Sequence, residues 1–195
     1  MEDPKLPRCE SPGFGLESVD RKLRKVDNMA EFADYQENAN GVQGFVALGR
    51  FLEAEGWEPE QVEDAPIYRM SFSGESGPIT CYAQMRVKEE IMLCYAVAPV
   101  QVEEAARPAV AEFITRANYG LWVGNFEMDW DDGEVRYKSS LDFEGVILTS
   151  ELIRNAISPA VQMMVCYLPG LLDVMAGKPP ARALSEVDAD CNCGG

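Results

Sequence analysis

Residues 120–145, GLWVGNFEMDWDDGEVRYKSSLDFEG, hold the pattern that decides the fold. Asp132-Gly133 is a two-residue turn signal, because a type I′ turn demands positive φ at both central positions and Asp and Gly tolerate it. With that pair at the centre, Asp131 faces Glu134, and one face of the hairpin pairs Asp129 with Arg136, Glu127 with Lys138 and Asn125 with Ser140. The other face pairs Trp130 with Val135, Met128 with Tyr137 and Trp122 with Phe143, while Phe126 meets Ser139 and Gly124 meets Leu141. A one-residue slip would put charge under the apolar face, so the pattern specifies a β-hairpin with a charged side and an apolar side.

Working outward, Val42, Phe45, Val46, Leu48, Phe51 and Leu52 form one helical stripe, which predicts a first helix over about 41–55, ended by Gly56. Gly44 and Gly49 inside it imply close packing against a sheet, since each weakens a helix by about 1 kcal/mol relative to Ala. Three strands follow. Ile67–Ser73 turns Tyr68, Met70 and Phe72 inward; Ile79–Lys88 turns Ile79, Cys81, Ala83, Met85 and Val87 inward and Thr80, Tyr82, Gln84, Arg86 and Lys88 outward. Residues 91–100, IMLCYAVAPV, are apolar on both faces, as in a central strand. A second helix is predicted with its regular part at 107–118, Pro108 in its first turn and Asn118 and Gly120 at its end.

After the hairpin, Thr149 or Ser150 caps a long helical stretch reaching Ala176, in which Pro159 and Pro169 predict bends between separate segments. The succession is α-β-β-β-α-β-β-α: an α+β fold with a twisted antiparallel sheet of about five strands and helices on one side. The expected organisation is a mobile N-terminal arm over 1–40, a domain over 41–184, and a disordered cysteine-bearing tail over 185–195.

Composition narrows the function classes. The chain has 195 residues, 17 Lys and Arg against 33 Asp and Glu, and a formal net charge of -16, which opposes binding to a phosphate backbone or an anionic lipid surface. Neither nucleic acid nor membrane is an expected partner, and no secretion signal opens the chain, so a cytoplasmic protein is expected. Histidine is absent, which removes the commonest general base, the commonest zinc ligand and every Ser-His or Cys-His nucleophile. No phosphate-binding glycine loop is present, so no cofactor is expected and the reading is non-enzymatic.

Gly124, Phe126 and Glu127 of the hairpin, Gly133, Val135 and Tyr137 on its return strand, Pro108 and Asn118 of the second helix, and YLPGLLDVMAGKPPARAL at 167–184 together resemble the YbjN family of bacterial proteins, described as sensory transduction regulators. The resemblance spans about residues 40–184. It implies a fold like that of the type III secretion chaperones, a homodimer, and a protein or peptide partner held against exposed apolar patches; it implies no catalytic residues.

The candidate interaction surface is therefore Trp122, Phe126, Met128, Trp130 and Tyr137 of the hairpin, with Ala105 and Ala109 of the second helix allowing close approach of another helix. Set against it is the reading of the same aromatics as core. Asp129, Asp131, Asp132 and Glu134 at the hairpin tip lack calcium-loop spacing and read as solvated turn acids. Cys191-Asn192-Cys193 supports a second function, metal binding or redox chemistry, with the remaining metal ligands to come from Cys9 or another chain, whereas Cys81, Cys94 and Cys166 read as reduced core thiols.

Overall fold

The computed structural model describes residues 39–63, 65–74 and 77–191. Its elements follow in the order α1 (Asn40–Ala54), β1 (Glu60–Gln61), β2 (Ile67–Gly74), β3 (Gly77–Arg86), β4 (Ile91–Gln101), a 3-10 turn (Glu104–Ala106), α2 (Arg107–Gly120), β5 (Asn125–Met128), β6 (Glu134–Asp142), α3 (Ser150–Met175) and α4 (Pro180–Asp190). The expected arm, apart from its last two residues, and the end of the tail lie outside the described residues.

The strands make one antiparallel sheet in the order β1-β2-β3-β4-β6-β5. β4, apolar on both faces, lies inside the sheet between β3 and β6, as its composition requires. The hairpin enters with its return strand against β4, which leaves β5 at the edge. The sheet has six strands rather than five; the extra one, β1, spans two residues and carries no apolar alternation that would reveal it.

Alternation places Cys81, Ala83, Met85, Met92, Cys94, Ala96, Val135 and Tyr137 on the helix-covered face, in one core with Phe45, Leu48 and Leu52 of α1 and Ile153, Ile157, Val161 and Met164 of α3. α1 approaches closely because it can. A Cβ on Gly49 would lie 2.5 Å from the Tyr68 hydroxyl and one on Gly44 would lie 2.8 Å from the Phe143 ring. Pro108 occupies the first turn of α2, where its missing N–H costs nothing. Thr149 caps α3, its side-chain oxygen accepting from the Leu152 N–H at 3.4 Å.

Three expectations are corrected. α3 runs unbroken through Pro159 and Pro169, because its buried stripe from Ile153 to Val174 packs across both prolines and offsets the hydrogen bonds they remove. Tyr82 and Gln84, read as outward, are buried: the segment carrying Val62 and Ala65 folds over that part of the sheet's second face. Residues 180–190, partly assigned to a disordered tail, form α4, which buries Ala183 and Val187. α3 is also long and apolar enough, by length and composition, to cross a membrane, but half of that window is buried within the fold, which is how a core helix is used.

Candidate interaction surface

The hairpin closes differently from its expected two-residue turn. Observed partners are Asn125–Lys138, Phe126–Tyr137, Glu127–Arg136 and Met128–Val135, a slip of two residues from the Asp-Gly-centred register. A slip of two preserves side-chain parity, so both faces keep their character. The turn becomes a four-residue loop, Trp130 to Gly133, in which the Asp129 N–H donates to Glu134 O at 2.8 Å and the Gly133 N–H donates to Asp129 O at 2.9 Å. Gly133 takes φ +76, the conformation glycine is suited to. The tip acids act as turn formers: Asp129 Oδ1 accepts the Asp131 N–H at 2.9 Å, and Asp132 Oδ1 accepts the Glu134 N–H at 3.0 Å.

The longer loop divides the candidate residues. Phe126 and Tyr137 are buried and meet edge to face, with centroids 4.9 Å apart, so they belong to the core. Met128 is half-buried, Ala109 half-buried and Ala105 exposed. Trp130, a strand residue in the shorter-turn register, is carried into the loop and is 56% exposed; Trp122 lies before β5, opposite no strand residue, and is 87% exposed. The aromatics therefore do not form one surface.

What the structure does assemble is the link between α2 and β5. Tyr119 is 98% exposed and Val123 is half-exposed, which with Trp122 puts three large apolar side chains in solvent within five residues. The backbone beneath them is clamped. Asn118 uses both ends of its amide on Phe126, donating from Nδ2 to the carbonyl at 3.0 Å and accepting the N–H at Oδ1 at 2.7 Å. The amide thereby occupies the open side of the edge strand. The Tyr137 hydroxyl donates to the Val123 carbonyl, and burial, with Tyr167 adding, pushes that hydroxyl up to about 12, so it remains a donor at neutral pH. Leu121 packs on the core. Gly124, at φ +77, passes so close to the Lys138 carbonyl that a Cβ would lie 2.5 Å from it. Neither the clamping role of Asn118 nor the exposure of Tyr119 has a signal in periodicity; both depend on where α2 meets the edge strand.

The sheet's second face carries a charged cluster beside this segment. Arg136 grips Glu127 Oε2 through Nε at 3.0 Å and a terminal nitrogen at 2.8 Å, and stacks over Tyr95 at 4.5 Å from the ring centroid; Lys138 reaches Glu127 Oε1 at 3.2 Å. Burial pushes the Glu127 carboxyl upward, but Arg136 and Lys138 outweigh it and hold the group below its ordinary range. A folded-state value below the unfolded one means stability that is complete above the unfolded value of about 4.3 and lost as pH falls through the folded one. Glu127→Gln is expected to cost about 1 kcal/mol at pH 7, with urea midpoints of variant and parent converging as the pH is lowered below about 4.3.

The cysteines sort differently from their expected roles. Cys81 and Cys94, of β3 and β4, are buried and take part in no disulfide. Cys166, expected as a core thiol, is half-buried and joined to Cys191 in a disulfide. Among the described residues no group of three or more Cys, Asp and Glu could hold a metal ion; Cys9 and Cys193 lie outside them.

An antiparallel sheet covered by helices on one face, with a clamped aromatic segment at its edge, makes this an α+β domain. In sequence, residues 46–172 match the YbjN family, described as "Putative bacterial sensory transduction regulator", and the chain belongs to that family. The matched span runs from within α1 to within α3 and takes in the whole sheet. No curated protein matches the chain. The family description supports a regulatory or protein-interaction role and names no reaction.

Proposed function

We propose that the chain is a non-enzymatic, chaperone-like regulatory domain of a cytoplasmic homodimer, acting by contact with a protein or peptide through the segment from Tyr119 to Val123. The observation that supports this reading is the combination of Trp122 at 87% exposure and Tyr119 at 98% with a backbone fixed by Asn118, Tyr137 and Gly124. Large aromatics dominate the energetics of protein contacts, and a rigid support lowers the ordering cost of binding. Phe126 and Tyr137, first considered for the surface, serve as that support.

Trp122→Ala separates surface from core. Unfolding free energy is expected to change by less than about 0.5 kcal/mol, while affinity for a captured partner falls roughly 30-fold or more, as at an interface hot spot. The measurements are a denaturant melt, light scattering for the dimer, and capture by the immobilised full chain followed by titration of the captured protein. A monomer whose capture profile is the same with and without Trp122 would remove the proposal.

A further inference from the structure

Cys166 sits on α3 and Cys191 at the C-terminal cap of α4, 25 residues apart in sequence, with Cα atoms 6.0 Å apart as a disulfide requires. Both are half-buried and so within reach of a solution thiol. Cys94 is the contrast: burial drives its thiol up to about 12, which keeps it protonated and inert.

α4 is a short helix. It has 11 residues, too few to persist alone in water. It buries two side chains fully, Ala183 and Val187, with Val187 seated over Gly170, where a Cβ would lie 2.5 Å from its Cγ2 and 3.0 Å from the Phe113 ring. The ion pairs of Lys178 with Asp173 and Glu186, both at 2.6 Å, are solvent-accessible and add little. One end of the helix is tied to α3 by the chain through Gly177, and the other end, beyond those contacts, by the disulfide and by the Tyr167 hydroxyl donating to Asp188 Oδ1 at 3.5 Å.

We propose that Cys166–Cys191 is a reversible thiol–disulfide site that latches α4 over α2 and α3, and that its reduction by a dithiol releases the helix. A thiolate of the reductant attacks one Sγ and breaks the Cys166–Cys191 bond, forming a mixed disulfide. The reductant's second thiol then displaces the protein sulfur. Two electrons pass to the protein, both Sγ atoms end protonated with the two protons of the dithiol, and the reductant leaves as its disulfide. Release uncovers Phe113, Tyr167 and the Gly170 notch. In a reducing compartment such a pair is a sensing disulfide rather than a permanent brace.

The test uses the full chain. Protein purified without reductant, alkylated and digested, is expected to give a linked Cys166–Cys191 peptide by mass spectrometry. Dithiothreitol is then expected to speed hydrogen exchange at residues 180–190 at least tenfold and to leave the β3 and β4 amides unchanged. Cys191→Ser and, independently, Cys166→Ser must show the fast pattern with or without dithiothreitol. A linkage between other cysteines, equal exchange before and after reduction, or a dithiothreitol response that survives in either variant would overturn the proposal. None of these readouts depends on a partner for the aromatic segment.

Discussion

Tyr137→Ala lowers the unfolding free energy by about 3–5 kcal/mol, the range for deleting a buried aromatic ring. Tyr137 has no exposed surface; its ring packs edge to face on Phe126 and its hydroxyl holds the Val123 carbonyl. Truncation therefore leaves a cavity in the core and frees the segment bearing Trp122. Tyr137→Phe isolates the second effect. It keeps the ring, costs about 1 kcal/mol because Val123 is half-exposed and its carbonyl can turn to water, and loosens the aromatic segment without emptying the core. Chemical denaturation gives both values, and faster hydrogen exchange of the amides from Leu121 to Phe126 reports the loosening. Equal losses in the two variants would show that the hydroxyl, and not the ring, carries the stability.

Gly133→Ala is expected to cost about 2–5 kcal/mol, the sum of two separate penalties. A left-handed conformation costs a residue with a Cβ about 1–2 kcal/mol, and Gly133 has φ +76. A Cβ there would also lie 2.0 Å from the Val102 carbonyl oxygen, which is backbone and cannot rotate away. Displacing it costs about 1–3 kcal/mol more and strains the bond from the Val102 N–H to Gly133 O, 2.8 Å long, that docks the hairpin tip beside α2. Gly145→Ala is the control: its φ is +74 but nothing lies within 4 Å of the new Cβ, so only the conformational penalty of about 1–2 kcal/mol applies. Urea midpoints for the pair measure the steric part by difference. A Gly133→Ala variant no less stable than the Gly145→Ala one would contradict the docked tip.

How these residues were legible differs case by case. The inward positions of β3 and β6 and most of the α1 stripe lie on the buried faces their period indicated, whereas Val46 of that stripe is exposed and the outward positions Tyr82 and Gln84 of β3 are buried. The register of the hairpin was two residues off, because Asp-Gly suits the end of a four-residue loop as well as the centre of a two-residue turn, and parity cannot tell them apart. That difference moved Trp130 from a paired strand position to an exposed loop. Trp122 and Phe126, both aromatic and both on the hairpin, met opposite fates because α2 and Tyr167 cover Phe126 and no strand residue lies opposite Trp122.

Local chemistry was enough to predict the main succession of helices and strands apart from β1 and α4, a cap at Thr149 or Ser150, the Pro108 start and the tight glycines of α1. Each of these rests on a residue's own geometry or on neighbours a few positions away. Which aromatics stay in solvent, the burial of Tyr82, the Asn118 clamp and the meeting of Cys166 with Cys191 were decided by the tertiary structure alone. Each depends on contacts between different elements, whose partners are set by how α2, α4 and the strands pack together.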